Sequence, residues 1–214
     1  MKETNNNVFT VVVWGDSIAA GNAQYQWPAL AELKCNLVLN TGKRIKIINE
    51  GVGGMAAAHA LREFDMRVKK HLPNLVIIQF GFNDIRFDGS RIGKPISTVE
   101  EFENHLSTMI HLCREQAKAS PILLGNHKTR LQLTLPSGIE YDHARIQYNN
   151  AAHRVAHKNN VPFFDMEKEL KVPEAHWTNF VCEDGVHLSP LGYHAYASRI
   201  SCIITELVLK QKHL

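Results

Sequence analysis

Residues 8 to 21 read VFTVVVWGDSIAAG, and this stretch decides the fold. Its first half is a run of β-branched and aromatic residues, which is typical of a strand buried on both faces of a parallel sheet. Gly, Asp and Ser follow directly, just past the carboxyl end of that strand. In open α/β sheets, ligands bind in the crevice outside the carboxyl ends of the strands. The stretch therefore predicts a parallel sheet and places Ser17 where chemistry can occur.

The rest of the chain alternates between strand-like and helix-like segments. This rhythm is typical of a parallel sheet with helices on both faces. We therefore predict a three-layer α/β/α sandwich with a five-stranded parallel sheet. The predicted strands are Val8 to Trp14, Arg44 to Asn49, Leu75 to Phe80, Pro121 to Leu124 and Pro162 to Asp165, and the predicted helices are Trp27 to Leu39, Ala56 to Lys70, Val99 to Lys118, Asp142 to Lys158 and Gly192 to Lys210.

Composition limits the class of protein. The chain has 214 residues, 44% of them hydrophobic and 21% charged, which predicts one globular domain over residues 1–214. The formal charge of +3 is too small and too dispersed to indicate nucleic-acid binding. No segment resembles a membrane span or the apolar core of a signal peptide. We therefore expect a cytoplasmic protein whose partner is a small molecule, and the sequence does not predict its oligomeric state.

The four cysteines are scattered along the chain and form no C-x-x-C pair. This spacing gives no indication of a zinc or redox site, and we predict that the protein uses no metal and no cofactor. Free Cys usually behaves as a small buried hydrophobic residue. We accordingly expect buried free thiols at Cys35, Cys113, Cys182 and Cys202.

Polar and glycine-rich segments follow the predicted strands. They read GDS at residues 15–17, EGVGGMA at 50–56, GFND at 81–84 and GNHKTR at 125–130, and EDGVHLSPLG at 183–192 lies between the fifth strand and the last helix. Because parallel strands end at the same edge of a sheet, these segments should meet in one crevice. They would bring together Ser17, the glycines around Gly54, Asn83, Asp184 and His187. A serine, a histidine and a carboxylate in one crevice are the parts of a serine hydrolase.

Four of these blocks resemble those of the SGNH, or GDSL-type, hydrolase family, in the family's order and over nearly the whole chain. GDSIAAG resembles the first block, INEGVGG the second, GFND the third and DGVHLSPLG the last. The segment WPAL at residues 27–30 also resembles the segment after the nucleophile in small bacterial members. The resemblance implies that the fold predicted above is of the flavodoxin-like type, and it implies an esterase activity.

The resemblance also implies roles for individual residues. Ser17 would be the nucleophile, His187 its general base and Asp184 the carboxylate that orients the imidazole. The oxyanion donors would be the backbone N–H groups of Ser17 and Gly54 and the side-chain amide of Asn83. The chemistry agrees, because a serine hydroxyl is a weak nucleophile until a neighbouring imidazole takes its proton. The absent Cβ of Gly54 should let its main chain approach the substrate closely.

Two residues near Gly54 depart from the family pattern. Gly53 replaces a small polar residue, and Met55 stands where Asp is frequent. These departures leave the donor role of Gly54 intact. Asp16 and Asp84 each neighbour a proposed site residue, and we interpret both as structural carboxylates that hydrogen-bond to nearby backbone.

The loops around the crevice contain aromatic rings beside cationic groups. Such a combination would suit a sugar or an anionic acylated metabolite, although several of these residues could equally belong to the core or the rim. The chain lacks apolar lid-like helices, which favours a short acyl group, acetyl first. The candidate substrate-binding residues are Tyr25, Trp27, Phe82, Arg86, Phe87, His127, Lys128, Arg130, His176 and Trp177.

Other interpretations of the same residues remain open. GVGGMA fits the G-x-G-x-x-A dinucleotide fingerprint, but His71 stands where that motif needs an acidic residue. His153 and His157 have the i, i+4 spacing of metal ligands, but the zinc-protease Glu is missing and no clear third ligand is near, so we favour a solvated helix face. The triad itself is compatible with a lysophospholipase, a thioesterase, an acyltransferase or a non-catalytic binding module.

Overall fold

The computed structural model describes residues 7–39 and 42–210. Over these residues the chain forms a five-stranded sheet in the order β2-β1-β3-β4-β5, and every neighbouring pair of strands is parallel. Helices cover both sides of the sheet, so the predicted α/β/α architecture is confirmed. The strands are β1 Val8–Gly15, β2 Arg44–Asn49, β3 Leu75–Gln79, β4 Ser120–Gly125 and β5 Phe163–Asp165.

The helices form two layers, one on each face of the sheet. The long helices α2 and α9 pack against each other, as do α5 and α6. Short helices and 3₁₀ turns lie in the connections. The helices are α1 Ser17–Ala20, α2 Trp27–Val38, α3 Ala57–Leu61, α4 Phe64–Arg67, α5 Val99–Glu115, α6 Tyr141–Lys158, α7 Met166–Leu170, α8 Trp177–Phe180 and α9 Pro190–Lys210, with 3₁₀ turns at Lys69–His71 and Glu174–His176.

The strand order positions the site. Strand β1 lies between β2 and β3, and the order of the strands reverses there, so a crevice opens between the carboxyl ends of β1 and β3. Gly15 at the end of β1 pairs with Gln79 at the end of β3. The chain that leaves β1 carries Ser17, and the chain that leaves β3 carries Asn83. Two of the predicted site residues are thus delivered by adjacent strands.

The first strand is the centre of the core. Val11, Val12, Val13 and Trp14 are all fully buried, as expected for a strand covered by helices on both faces. Trp14 contacts the ring of Phe64 on the following α4 segment, with centroids 5.6 Å apart. Consecutive apolar residues are therefore needed in this strand. The alternation of apolar and polar residues that is typical of a half-exposed strand would bury polar side chains here.

The predicted helix from Ala56 to Lys70 is wrong as a continuous element. The chain instead forms α3, α4 and a 3₁₀ turn in succession. The break falls where the N–H groups of Arg62 and Glu63 bond to carbonyls three residues back, on His59 and Ala60. This tighter hydrogen-bond pattern interrupts the α-helical ladder. The short helices α1, α7 and α8 are not predicted, because four or five residues carry no usable periodicity.

The prediction of buried thiols is confirmed for two of the four cysteines. Cys35 and Cys113 are buried, but Cys182 is half-buried and Cys202 is exposed. Cys202 lies on the outer face of α9, whose inner residues Ile200 and Ile203 are buried. Among the described helices, none is both long and apolar enough to cross a bilayer.

Helix α2 covers the outer edge of the sheet at β2. The side chain of Asn36 donates to the carbonyl of Ile45 at 2.8 Å and accepts the backbone N–H of the same residue at 2.9 Å. The carboxylate of Glu32 accepts the backbone N–H of Ile47. These bonds occupy main-chain groups of β2 that face away from β1. At the opposite edge, β5 is only three residues long.

Candidate active site

Ser17 is the first residue of α1, immediately beyond the turn that ends β1. The carboxylate of Asp16 caps this turn by accepting the backbone N–H of Ile18 at 2.9 Å. The turn presents the half-buried Ser17 hydroxyl to the crevice. A side-chain acceptor at this position satisfies a backbone donor that the helix itself leaves unpaired.

Asp184 and His187 lie on one compact loop. Val181 and Leu188 form an antiparallel bridge at its base. The Oδ1 atom of Asp184 accepts the backbone N–H groups of Val186 at 2.8 Å and His187 at 2.9 Å. The loop therefore folds back on its own carboxylate, which fixes the relative positions of the two side chains.

A continuous chain of hydrogen bonds joins three of the predicted residues. The Oδ2 atom of Asp184 lies 2.7 Å from Nδ1 of His187, and Nε2 of the same ring lies 2.9 Å from the Ser17 Oγ. A carboxylate only accepts, so Nδ1 carries the proton when the ring is neutral, and Nε2 is left as an acceptor. The Ser17 hydroxyl thus faces the basic nitrogen of the imidazole.

The carboxylate of Asp184 is held in its ionised form. Partial burial acts to raise the pKa of Asp184, but the N–H groups of Val186 and His187 outweigh it, so that the pKa lies below its ordinary value. Hydrogen bonds to a carboxylate favour its charged form. A negative charge therefore faces Nδ1 of His187 throughout the neutral range.

The side chain of Asn83 is fixed on both sides. Its Nδ2 atom donates to the carbonyl of Met55 at 3.2 Å, and its Oδ1 atom accepts from Nη1 of Arg86 at 3.4 Å. An amide nitrogen has two donors, so one N–H remains for a ligand in the crevice. The neighbouring Gly54 has a φ of +76°, which a residue with a side chain rarely adopts. It is this backbone angle, and not crowding, that requires glycine, because a Cβ at Gly54 would meet nothing within 4 Å.

The two carboxylates interpreted as structural do hydrogen-bond to the backbone. Asp84 accepts from the N–H of Ala57 and from the hydroxyl of Ser97, whereas Asp16 accepts from Ile18. Burial raises the pKa of Asp84 to about 6 and that of Asp16 to about 7. The Oδ2 atom of Asp16 is buried without a hydrogen-bond partner in the described part of the chain. These groups support the turns on either side of the crevice.

A cavity of about 300 Å³ opens at these side chains. Phe82 and Arg86, both predicted to bind substrate, line it. The apolar wall of this cavity was not predicted from the sequence. Its signal was the segment RLQLTL at residues 130–135, in which leucine occupies every second position of an otherwise polar loop. The lining residues are Ser17, Phe82, Asn83, Arg86, Leu131, Leu133, Tyr141, Asp184, Val186 and His187.

Three residues predicted to bind substrate lie in the core instead. Trp27 and His127 are fully buried, and Trp177 is 4% exposed. Trp27 packs on Tyr196, and His127 stacks on Trp177. None of the three lines the cavity, so their assignment is corrected from ligand contact to packing. Their aromatic rings fill space between the sheet and the loops, which a sequence pattern does not distinguish from a pocket wall.

The remaining candidates lie outside the lining of the cavity. Tyr25 is half-buried and stacks on Tyr193 with ring centroids 6.3 Å apart. Arg130 is exposed, and its backbone N–H donates to the carbonyl of Gly185. The others are Phe87, which packs partly buried on the core, Lys128, which is paired with Glu174, and His176, which is exposed.

The two histidines with metal-like spacing do not assemble a metal site. His153 and His157 are exposed on α6, and His153 packs against the ring of Phe163. Within residues 7–39 and 42–210, no group of three or more His, Cys, Asp or Glu side chains is arranged to hold an ion.

Comparison with known proteins supplies the family. A sequence model of the GDSL-like Lipase/Acylhydrolase family matches residues 13–195. The chain belongs to this family. Membership makes it a carboxylic ester hydrolase and favours that class over dinucleotide binding for the glycine-rich segment. The match covers all five of the segments that follow the predicted strands.

Individual relatives agree with this assignment. An arylesterase of Vibrio mimicus is 25% identical over 185 residues, covering 84% of this chain and 80% of the relative. Thioesterase 1/protease 1/lysophospholipase L1 of Escherichia coli (strain K12) is 26% identical over 185 residues, covering 83% and 74%. The crystal structure of a lipase/acylhydrolase from Enterococcus faecalis superposes with a TM-score of 0.76 at 25% identity, covering 92% and 96%.

Proposed function

We propose that this GDSL-like hydrolase cleaves short-chain acyl esters of small molecules through a covalent intermediate on Ser17. The observation that carries the proposal is the geometry of one imidazole. His187 lies 2.9 Å from the Ser17 hydroxyl on one side and 2.7 Å from the Asp184 carboxylate on the other. These are the distances required for an activated serine nucleophile.

In the first half of the reaction, the Ser17 oxygen attacks the ester carbonyl carbon as Nε2 of His187 takes the hydroxyl proton. Asp184 stabilises the resulting imidazolium and keeps its ring oriented. The tetrahedral intermediate then collapses, the imidazolium gives its proton to the leaving alcohol, and an acyl-serine remains. In the second half, water attacks the acyl-serine with the same general-base assistance and releases the acid.

The oxygen that becomes negative in each tetrahedral intermediate needs hydrogen-bond donors. We assign this role to the backbone N–H groups of Ser17 and Gly54 and to the free N–H of Asn83. The bonds from Asn83 to Met55 and from Arg86 to Asn83 hold this amide in place before substrate arrives. Donors fixed in advance stabilise the developing charge without a cost of reorganisation.

The cavity supports a small substrate. Its volume of about 300 Å³ is at the lower end of the range for ligand pockets. Leu131, Tyr141 and Val186 provide an apolar wall for the acyl group, and acetyl is our first candidate. The candidates for the alcohol part of the ester are an aryl alcohol, a sugar and another small alcohol.

One observation favours a second candidate, a longer acyl chain on the same residues. The cavity extends to Leu133, a residue that is 45% exposed, so apolar surface continues toward solvent. A thioesterase or lysophospholipase would use such an extension. The name of the Escherichia coli relative includes both activities. An acyltransferase would use the same acyl-serine with an alcohol in place of water.

The test is hydrolysis of p-nitrophenyl esters of increasing chain length, followed by acetylated sugars, with the wild type and Ser17→Ala. We expect the highest kcat/KM for acetyl or butanoyl and a loss of about 10⁴ to 10⁶ in kcat for Ser17→Ala. A serine-directed phosphonate should label Ser17. Labelling of a different residue would contradict the proposal. Wild-type turnover equal to that of Ser17→Ala would also contradict it and would favour a non-catalytic binding module. EDTA should leave the rate unchanged.

A further inference from the structure

The structure contains a fully buried histidine beside the triad that the proposed mechanism does not use. His127 follows β4 and is 0% exposed. Its Nε2 atom lies 2.8 Å from the carbonyl oxygen of Val186, and its Nδ1 atom lies 2.6 Å from the hydroxyl of Tyr196. Val186 immediately precedes His187 in the chain. A buried polar ring thus contacts the main chain of the loop between Val181 and Leu188, which carries Asp184 and His187 and is called the catalytic loop below.

The direction of each hydrogen bond follows from the chemistry of the groups. The Val186 carbonyl can only accept, so Nε2 of His127 carries the proton. With Nε2 protonated in a neutral ring, Nδ1 must accept from the Tyr196 hydroxyl. The Tyr196 oxygen accepts in turn from Nε2 of Gln79 at 3.4 Å. A chain of hydrogen bonds, called the relay below, therefore runs from the end of β3 through α9 to the loop that carries His187. Each group in it donates to the next.

The ring of His127 has little freedom to move. Phe82 and Tyr196 pack edge-on against it at centroid distances of 5.1 and 5.5 Å, and Trp177 stacks on it at 6.5 Å. Burial lowers the pKa of His127 to about 4 and outweighs its bond to the Val186 carbonyl, while Arg145 and His187 lower the pKa further and Asp142 raises it. The ring therefore stays neutral and keeps one tautomer across the working range of an esterase.

We propose that His127 is a positioning residue that fixes the catalytic loop by binding the peptide group between Val186 and His187. That peptide group is held at both ends. Its carbonyl accepts from His127, and its N–H donates to Oδ1 of Asp184 at 2.9 Å. The plane of a peptide group held at both ends sets the direction in which the His187 side chain leaves the backbone.

A second bond from the same segment supports this role. The backbone N–H of Arg130 donates to the carbonyl of Gly185 at 2.7 Å, one residue before Val186. The chain that leaves β4 therefore binds two successive carbonyls of the catalytic loop. Side chains elsewhere in the core hold helices and strands together, whereas His127 acts on the residue next to the proposed base.

The test compares variants that keep the packing but change the hydrogen bonds. His127→Phe keeps an aromatic ring and removes both bonds, His127→Gln restores a donor toward the Val186 carbonyl, and Tyr196→Phe removes only the hydroxyl of the relay. Arg114→Met is the control, because Arg114 also donates to main-chain carbonyls, those of Asn159 and Asn160, but outside the catalytic loop. Each variant is measured for kcat, KM, phosphonate labelling rate at Ser17 and melting temperature.

We expect His127→Phe to lower kcat and the labelling rate by about 10- to 100-fold with KM nearly unchanged, because a small displacement of a catalytic group costs this much. His127→Gln should recover most of that loss. Tyr196→Phe should show a smaller decrease of the same kind. Arg114→Met should retain wild-type kcat even if its melting temperature falls. The low-field proton resonance of the His187–Asp184 bond should broaden or shift most in His127→Phe and should stay unchanged in Arg114→Met.

The inference rests on the proposed function, and different experimental results would contradict each of them. If the wild type neither turns over esters nor is labelled at Ser17, the proposed function fails. If the wild type is labelled and folded His127→Phe is labelled at the same rate, only the role of His127 is overturned. A raised KM at normal kcat would also overturn it, because His127 would then act in binding. If His127→Phe does not fold, an unchanged kcat in Tyr196→Phe together with a kcat at least 10-fold below wild type in His127→Gln overturns it.

Discussion

Asp84 accepts the backbone N–H of Ala57 at 3.1 Å, and this bond joins the two loops that flank the crevice. Ala57 begins α3, directly after the loop that carries Gly54, and Asp84 directly follows Asn83. The hydroxyl of Ser97 donates to the same carboxylate at 2.8 Å. Two of the proposed oxyanion donors are therefore held relative to each other by one buried carboxylate, and not only by the sheet.

The amide of Asn83 should act in the transition state more than in substrate binding. The negative charge on the substrate oxygen develops only during reaction, so Asn83→Ala should lower kcat by about 10²- to 10³-fold with little change in KM. Steady-state kinetics with p-nitrophenyl acetate measure both constants. Asn74→Ala is the matched control, because Asn74 binds the backbone of Thr10 before β3 begins, at the end of the sheet away from the crevice. Normal kcat with a raised KM would place Asn83 among the binding groups.

Replacing Asp184 by Asn should lower kcat by about 10⁴-fold, because the amide neither stabilises the imidazolium nor enforces its tautomer. The pKa of Asp184 lies below its ordinary value, so the carboxylate is ionised at every pH above about 5. Steady-state kinetics should compare each protein at its own pH optimum, where the carboxylate of the wild type is ionised. A variant kcat within about tenfold of wild type would contradict the assignment of Asp184.

The buried carboxylate of Asp16 should make stability depend on pH. Burial raises its pKa from 3.8 to about 7 in the folded protein, so the folded state binds more protons than the unfolded state between these values. The free energy of unfolding should then fall as pH rises from about 4 to 7. Asp16→Asn removes this titration, and its stability relative to wild type should increase over that window by an amount on the order of 1 to 4 kcal/mol.

Denaturant unfolding at several pH values measures the difference between the two proteins. Taking the difference removes the contributions of titrating groups that do not interact with Asp16, such as Asp184, whose pKa is lowered. A difference that is flat from pH 4 to 7, or that falls, would contradict the prediction for Asp16.

Replacement by alanine should destabilise the protein at one of two nearby glycines and have little effect at the other. A Cβ at Gly51 would lie 2.3 Å from the backbone nitrogen of Ala20, whereas at Gly53 it would meet nothing within 4 Å. Gly51→Ala should therefore destabilise the protein by about 1–3 kcal/mol and displace α1, which carries Ser17. Gly53→Ala should leave melting temperature and kcat close to wild type. Equal melting temperatures for the two variants would contradict this account.

Much of the fold was predictable because the strands are continuous apolar runs. The run ending at Trp14 and the run from Leu75 both describe strands buried on two faces, and both appear in the structure within one residue of the predicted limits. The broken helix after Ala56 was not predictable, since its buried residues keep a helical spacing across the break. Only the backbone hydrogen bonds reveal the interruption.

The candidate site, like the fold, was predictable only in part. Ser17, Asn83, Asp184 and His187 lie in short motifs after strands, and the sheet brings them within hydrogen-bond reach or to one cavity. The pocket wall depends on how the loop after β4 folds, which local sequence does not determine. Aromatic and basic residues such as Trp27 and His127 therefore looked like binding groups although the core contains them.

The contacts of α2 with β2 have a consequence for the behaviour of the protein in concentrated solution. An exposed edge strand is a template on which a second chain can add its own strand. Here the amide of Asn36 bonds to Ile45 as a neighbouring strand would, and Glu32 blocks the N–H of Ile47. Exposed Arg44 and Lys46 add positive charge along the same edge. An incoming strand would have to displace these bonds first, so the helix protects the sheet against aggregation through that edge.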